Sequence, residues 1–375
     1  MKKIGTVTFH ESNNYGTCLQ AFALRKFIQD NGFDCEIINY KRNMLGKENK
    51  KSTIYKIAKI LKNYNFKLYL YPLNKKIEYA KAQLFNAFRE NYYVYSKKQY
   101  TDINDLSECN EIYDGIVCGS DMIWCENRVD NMNIYMLAFI DGNKRIAYAP
   151  SFGEDVTQNT TYIKYIPELN KFKALSCREK EGKKFIEDYC NKDVTSVCDP
   201  TLLVSKKIWN EVERKVDVPD KYILCYLFQG IDSKMLRNVK KIAKQMKCEI
   251  RFIPMTPSDA KSKYAIRQGI GPQEFLYLIN NAELVITNSY HGLMFSLIFE
   301  KNFVLVHRNK NSEWNQFENR MESLVKQFDI SDNFVRSDEI CWSKENAIDY
   351  EALAPKFNRF KDISSRYLLD ALNSI

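Results

Sequence analysis

At 375 residues, with 45% hydrophobic and 13% aromatic positions, the chain exceeds the length at which one core stops growing and can fill two, which excludes disordered and fibrous classes. Its net charge of +9 is local: residues 41 to 81 hold twelve Lys or Arg against two Glu, so no general nucleic-acid-binding surface is expected. The start, Met1 to Phe9, lacks the apolar run of a signal peptide, and no stretch is long and apolar enough for a membrane span, so a cytoplasmic location is expected.

Lys3 to Phe9 reads as a buried strand. From Tyr15 the spacing becomes helical, with Leu19, Ala23 and Phe27 on one face, until Asn31-Gly32 ends the helix. Phe33 to Tyr40 follows as a second strand, and the β-α-β unit implies a parallel sheet. The basic segment 41–81 then enters as an insertion. Its lysines alternate with residues such as Ile54, Tyr55, Ile57, Phe66 and Tyr69, a mixture suited either to covering the first domain or to peripheral contact with an anionic membrane face. After a helix at Tyr79 to Asn91, short apolar runs recur at Glu111 to Cys118, Arg145 to Ala149 and Ala174 to Cys177. A second series follows Asp199-Pro200 at Tyr222 to Phe228, Glu249 to Pro254, Leu284 to Thr287 and Asn302 to His307. This alternation predicts an α/β fold of two Rossmann-like domains facing a cleft, residues 1–200 and 201–345, joined near 199–220. Residues 346–375 are expected to form a helical segment returning to the first domain.

In such sheets, ligands bind beyond the carboxyl ends of the strands. Those ends carry His10, Asn14-Tyr15-Gly16, Gly119-Ser120-Asp121, Ser151, Arg178 and Asn288-Ser289-Tyr290-His291. Ser289 is placed to cap a helix whose first turn holds His291, and the free amides there favour an anion, phosphate being the obvious one. Imidazole at such a point suits proton transfer; the alternative is a histidine that only ties the turn together. Arg178 offers a guanidinium fork to carboxylate or phosphate oxygens, or else pairs with Glu179 or Glu181. Asp121 reads equally as the base for a sugar hydroxyl or as a helix cap, and Trp124 as a sugar platform or, more commonly, core. His10 faces the same ends, with a surface role as the alternative; His307 reads as structural. Eleven cysteines contain no C-x-x-C pair, and with three histidines they read as reduced, buried thiols and no metal site.

Asn14-Tyr-Gly-Thr-Cys-Leu-Gln20-Ala-Phe-Ala-Leu24, Gly119-Ser-Asp-Met-Ile-Trp124, Tyr148-Ala-Pro-Ser-Phe-Gly153, Cys177-Arg-Glu-Lys-Glu-Gly182, Cys198-Asp-Pro-Thr-Leu-Leu203 and Thr287-Asn-Ser-Tyr-His-Gly292 resemble, in order and spacing, the motif set of the polysaccharide pyruvyl transferase family. Asn319-Arg-Met-Glu-Ser-Leu324 adds a final similar stretch. The resemblance implies a GT-B-like fold and phosphoenolpyruvate as donor, with no further cofactor. It implies that His291 is the catalytic histidine and Arg178 a donor-binding arginine. Family members carry an arginine two positions before the histidine, where this chain has Ser289. Arg320 is the candidate replacement, with Asn288, Ser289 and Tyr290 completing the donor side. Asn14, Tyr15, Gly16, Gln20, Gly119, Ser120, Trp124, Ser151 and His10 are the candidates for the cleft or the acceptor, a hexose-containing glycan that is soluble or lipid-linked. The rival readings are a nucleotide-sugar glycosyltransferase of the same architecture and a non-catalytic relative that binds glycan precursors.

Overall fold

The computed structural model describes residues 1–43, 75–157, 159–190, 192–308 and 319–375. Positions 44–74 of the basic insertion, and with them the membrane reading, lie outside the described residues.

The first half is a parallel sheet of β1 (Lys3–Val7), β2 (Asp34–Tyr40), β3 (Tyr95–Tyr100), β4 (Gly115–Cys118) and β5 (Arg145–Ala147), in the order β3-β2-β1-β4-β5. A parallel pair, β6 (Leu175–Cys177) and β7 (Val194–Ser196), continues it through a bridge from Ile146 to Ala174. The second half is a parallel sheet of β8 (Tyr222–Tyr226), β9 (Glu249–Phe252), β10 (Leu284–Thr287), β11 (Phe303–Val306) and β12 (Phe334–Val335), in the order β12-β11-β10-β8-β9. Central strands such as β4, β8, β10 and β11 are buried throughout, which is why they read as unbroken apolar runs. The β3 strand, Tyr-Ser-Lys-Lys-Gln-Tyr, lies at an edge with Lys97, Lys98 and Gln99 exposed, and has no such signature.

Strand order reverses between β1 and β4 in the first sheet and between β8 and β10 in the second. At such a reversal the helices leaving adjacent strands go to opposite faces, and a crevice opens beyond the strand ends. The segments after β1, β4 and β10 are therefore the ones this topology leaves free for a site.

The helix α1 (Tyr15–Asp30) starts at Asn14, whose side chain accepts from the Thr17 amide at 3.1 Å, and Gly32 beyond its end takes φ +88°. Its sequence shows no single apolar stripe because it is covered on several sides, with every residue from Tyr15 to Arg25 buried. The Tyr15 ring stacks on Phe275 of the second half at 4.5 Å, and its hydroxyl donates to the Ile270 carbonyl. A helix at 75–92, α2, takes in the last residues of the insertion. The last helix, α3 (Tyr350–Asn373), bonds to both halves. The Tyr350 hydroxyl donates to the Lys301 carbonyl at 2.6 Å, while Tyr367 donates to the Ala147 carbonyl and Lys2 donates to the Asn373 carbonyl, both at 2.9 Å. No helix among the described residues is long and apolar enough to cross a membrane.

Candidate active site

The β10 strand ends at Thr287, whose hydroxyl donates to the Tyr226 carbonyl and accepts from the Ser289 amide. Ser289 then caps α4 (Tyr290–Ile298) by accepting from the Gly292 amide at 3.3 Å. Asn288 Oδ1 accepts from the Phe228 amide, and its carbonyl from the Arg308 guanidinium. The contacts of Asn288 and Ser289 thus build the strand-to-helix turn, whereas Tyr290 and His291 project toward the first half.

There the His291 ring meets α1 at Gly16. A methyl at Gly16 would lie 1.9 Å from Nδ1 and 2.1 Å from Cγ, so the close approach requires glycine. On its other side Nε2, buried and without a hydrogen-bond partner, stands 3.5 Å from Asp199 Oδ2, within ion-pair distance. The same Asp199 oxygen accepts from Arg178 Nη1 at 2.9 Å and lies 3.4 Å from the Ser120 hydroxyl, while Oδ1 accepts from the Thr201 amide and hydroxyl. Burial pushes the Asp199 carboxyl up, but His291, Arg178 and the Thr201 amide outweigh it and hold the group well below the carboxylate range.

Arg178, buried at the end of β6, also donates from Nε to Glu179 at 3.1 Å, and its Nη2 is buried without a partner. Its pairing with Glu179 is thus real and coexists with a free donor edge. The guanidinium lies against the Tyr290 ring, 4.4 Å from the centroid; that of Arg320, in α5 (Asn319–Gln327), stands 5.6 Å from the same ring. Burial and the like charge of Arg178 lower the Arg320 pKa. The space between Arg178, Asp199, Tyr290, Arg320, Ser323 and Gln327 is narrow, with room for about 10 Å³, one water molecule.

Asp121 follows β4 with φ +67°, its Oδ2 accepting from the Thr17 hydroxyl at 2.6 Å. Burial raises this carboxyl, yet His291, Arg178, the Thr17 bond and Arg320 together bring it below its ordinary value. Gly119 holds the loop against the Tyr148 carbonyl, which a methyl would approach to 1.8 Å at φ +141°. Gln20 accepts from the Ser120 amide and donates to Thr8, and Ser151 accepts from the Gly153 amide and donates its own to the Asp121 carbonyl. These residues position the loop. Asn14 caps α1 and Tyr15 packs between the halves.

The structure corrects two sequence expectations. Trp124 is fully buried, with Nε1 donating to the Tyr135 carbonyl and its ring against Phe152 and Phe172, so no face is open to a sugar. His10 is neither on the surface nor among the His291 neighbours: its Nε2 bonds the Tyr40 carbonyl at 3.1 Å and its ring packs edge-on against Tyr95. His307 stacks on Phe334. Sequence reasoning missed Asp199 and Thr17. Both stood inside the motifs, but an Asp before Pro reads as a turn residue, and nothing local points to partners 21 and 92 positions away.

The family model for polysaccharide pyruvyl transferase matches residues 14–309. No curated protein matches the chain. Among solved structures, the chain is similar to UDP-GlcNAc 2-epimerase from Neisseria meningitidis bound to UDP-GlcNAc, with TM-score 0.52 and 11% identity over 100% of both chains. The enzyme of that name from Methanocaldococcus jannaschii gives TM-score 0.51 and 13% identity over 100% of this chain and 99% of that one. At these identities the likeness concerns the fold, a GT-B-like pair of Rossmann-like halves.

Proposed function

The chain belongs to the polysaccharide pyruvyl transferase family and is thus a transferase of polysaccharide modification; from that premise we propose that it moves pyruvate from phosphoenolpyruvate to a hexose of a bacterial surface glycan or its precursor. The product is a cyclic ketal, with phosphate released. The observation that carries this reading is the meeting of two buried guanidiniums, Arg178 and Arg320, at Tyr290, one residue before His291.

Ketal formation needs a proton on the methylene carbon of an enol phosphate, and stabilisation of charge as phosphate departs. In the proposed scheme His291 gives that proton. The first sugar hydroxyl adds to the neighbouring carbon and passes its proton to Asp121. A second hydroxyl displaces phosphate and returns a proton to His291, while the proton held by Asp121 leaves with the phosphate. Arg178, through its unpartnered Nη2, and Arg320 bind the anionic groups of the donor. Because the pocket now holds about one water, donor entry requires it to widen. The scheme uses phosphoenolpyruvate as co-substrate and side chains for the proton transfers.

The test is phosphate release from phosphoenolpyruvate with a panel of α- and β-hexosides. Acceptor-dependent release with formation of a ketal supports the reading. Binding of a nucleoside diphosphate, with no phosphate released from phosphoenolpyruvate by any acceptor, would replace it with a nucleotide-sugar glycosyltransferase.

A further inference from the structure

Asp199 sits in the turn after β7, fully buried, and its two oxygens have different duties. Oδ1 is pinned by its own turn through the Thr201 amide at 3.1 Å and hydroxyl at 2.9 Å. Oδ2 is thereby left to accept from Arg178 Nη1, 2.9 Å away, and to face the otherwise unpartnered His291 Nε2 at the ion-pair distance of 3.5 Å. A carboxylate in this setting costs several kcal/mol unless paired, so its geometry and that of its partners are mutually binding. The contacts also cross the molecule. First-half Arg178 lies against second-half Tyr290, and first-half Asp199 faces second-half His291, so two consecutive residues of α4 each meet one partner of the pair.

We propose that Asp199 is a positioning residue that holds the Arg178 guanidinium and the His291 imidazole in one arrangement across the two halves. It rests on the reading of His291 as the acid and Arg178 as the donor clamp. Asp199 touches no reacting atom; it acts through those two side chains, as outer partners orient the groups that do the chemistry.

Asp199→Asn keeps the shape and can still accept from Thr201, but it removes the charge. The expected result is a kcat lower by ~10²-fold, the scale of a misplaced acid, with a KM for phosphoenolpyruvate unchanged or lower because Nη1 is released. A kcat within about threefold of wild type, or a donor KM that rises as far as in Arg178→Ala, overturns the proposal. A second readout is independent of turnover. The chain has three histidines, so the ring ¹⁵N spectrum is simple and the His291 signals are assigned by their loss in His291→Gln. Asp199→Asn should move the His291 signals and leave those of His10 and His307 in place. Unmoved His291 signals overturn the proposal even if the chain releases no phosphate, which would be the separate failure of the functional reading. Should the Asn variant not fold, Thr201→Val keeps the charge but frees one of the two bonds on Oδ1. It is expected to lower kcat several-fold and shift the same signals, and no shift there would equally overturn the proposal.

Discussion

Adding one methyl group at Gly16 tests the site with minimal chemical change. In Gly16→Ala the new carbon falls 1.9 Å from His291 Nδ1, where ordinary contact begins at 3.4 Å, so the ring must retreat by about 1.5 Å or the halves must part. Retreat is opposed on the far side by Asp199, already at 3.5 Å from Nε2. Displacing a catalytic group by ~1 Å costs on the order of 10²-fold in rate, which corresponds to about 2.7 kcal/mol of barrier. Helical stability works the other way, since Ala in place of Gly in a helix gains up to ~1 kcal/mol. Overpacking a buried contact costs ~1–3 kcal/mol, which that gain offsets only in part, so the expected outcome is a kcat at least ~10²-fold lower with a melting temperature lowered by a few degrees. The assay is phosphate release at saturating donor and acceptor, with calorimetry alongside. Turnover within a few-fold of wild type would refute the reasoning, because the imidazole would then tolerate a position that the packing forbids.

His291→Ala should lower kcat by ~10²-fold or more in the same assay while the circular dichroism spectrum is retained. Arg320→Ala should raise the donor KM by ~10-fold or more, and more than the acceptor KM, because charge-assisted bonds are worth roughly 1.5–3 kcal/mol. Arg178→Ala should do the same and also lower the melting temperature, since removing one member of a buried ion pair strands Asp199 at a cost of ~3–5 kcal/mol. His10 is held neutral, its pKa lowered to about 4 by burial, with Arg42 and Arg89 also lowering it against the bond to Tyr40. The unfolded chain protonates this ring near the ordinary imidazole value of 6.5, so stability should fall as pH drops from there to about 4, by roughly 3 kcal/mol in all. Denaturant titrations across that window should show a slope that His10→Gln largely removes.

Strand β10 is legible to the residue, because Leu284 to Thr287 is a buried run bounded by Glu283 and Asn288. Others end earlier than their apolar runs: β1 stops at Val7 although Thr8 and Phe9 are buried, since the chain there turns into the crevice. The β3 strand escaped notice because an edge strand with three exposed polar residues has no apolar pattern to read. The candidate site positions were visible as the polar residues that follow apolar strands. Hidden from sequence was the division of labour among them. Ser120, Gln20 and Ser151 come from three different segments around Asp121, yet their bonds support its loop's backbone, a distinction that depends on where each side chain points. Trp124 shows the same limit, since a tryptophan three residues after a strand-end loop looks alike whether it is open or packed on Phe152.

The group around Tyr290 also has a consequence in its charge count. Two guanidiniums, Arg178 and Arg320, interact there with three carboxylates, Asp121, Glu179 and Asp199, so the charge of the arginines is already matched before a ligand enters. A donor carrying both a phosphate and a carboxylate would bring strong negative charge into a space where, among the described residues, these cations are already matched and there is room for about one water. Such a transfer is costly unless protons enter as well or a carboxylate lets go of its arginine. Where protons supply the balance, donor capture is linked to proton uptake, and a donor titration across pH should then show affinity rising with acidity. In the proposed scheme a proton drawn in to balance the anion is also what the methylene carbon requires, so filling the pocket and arming it for reaction would be a single event.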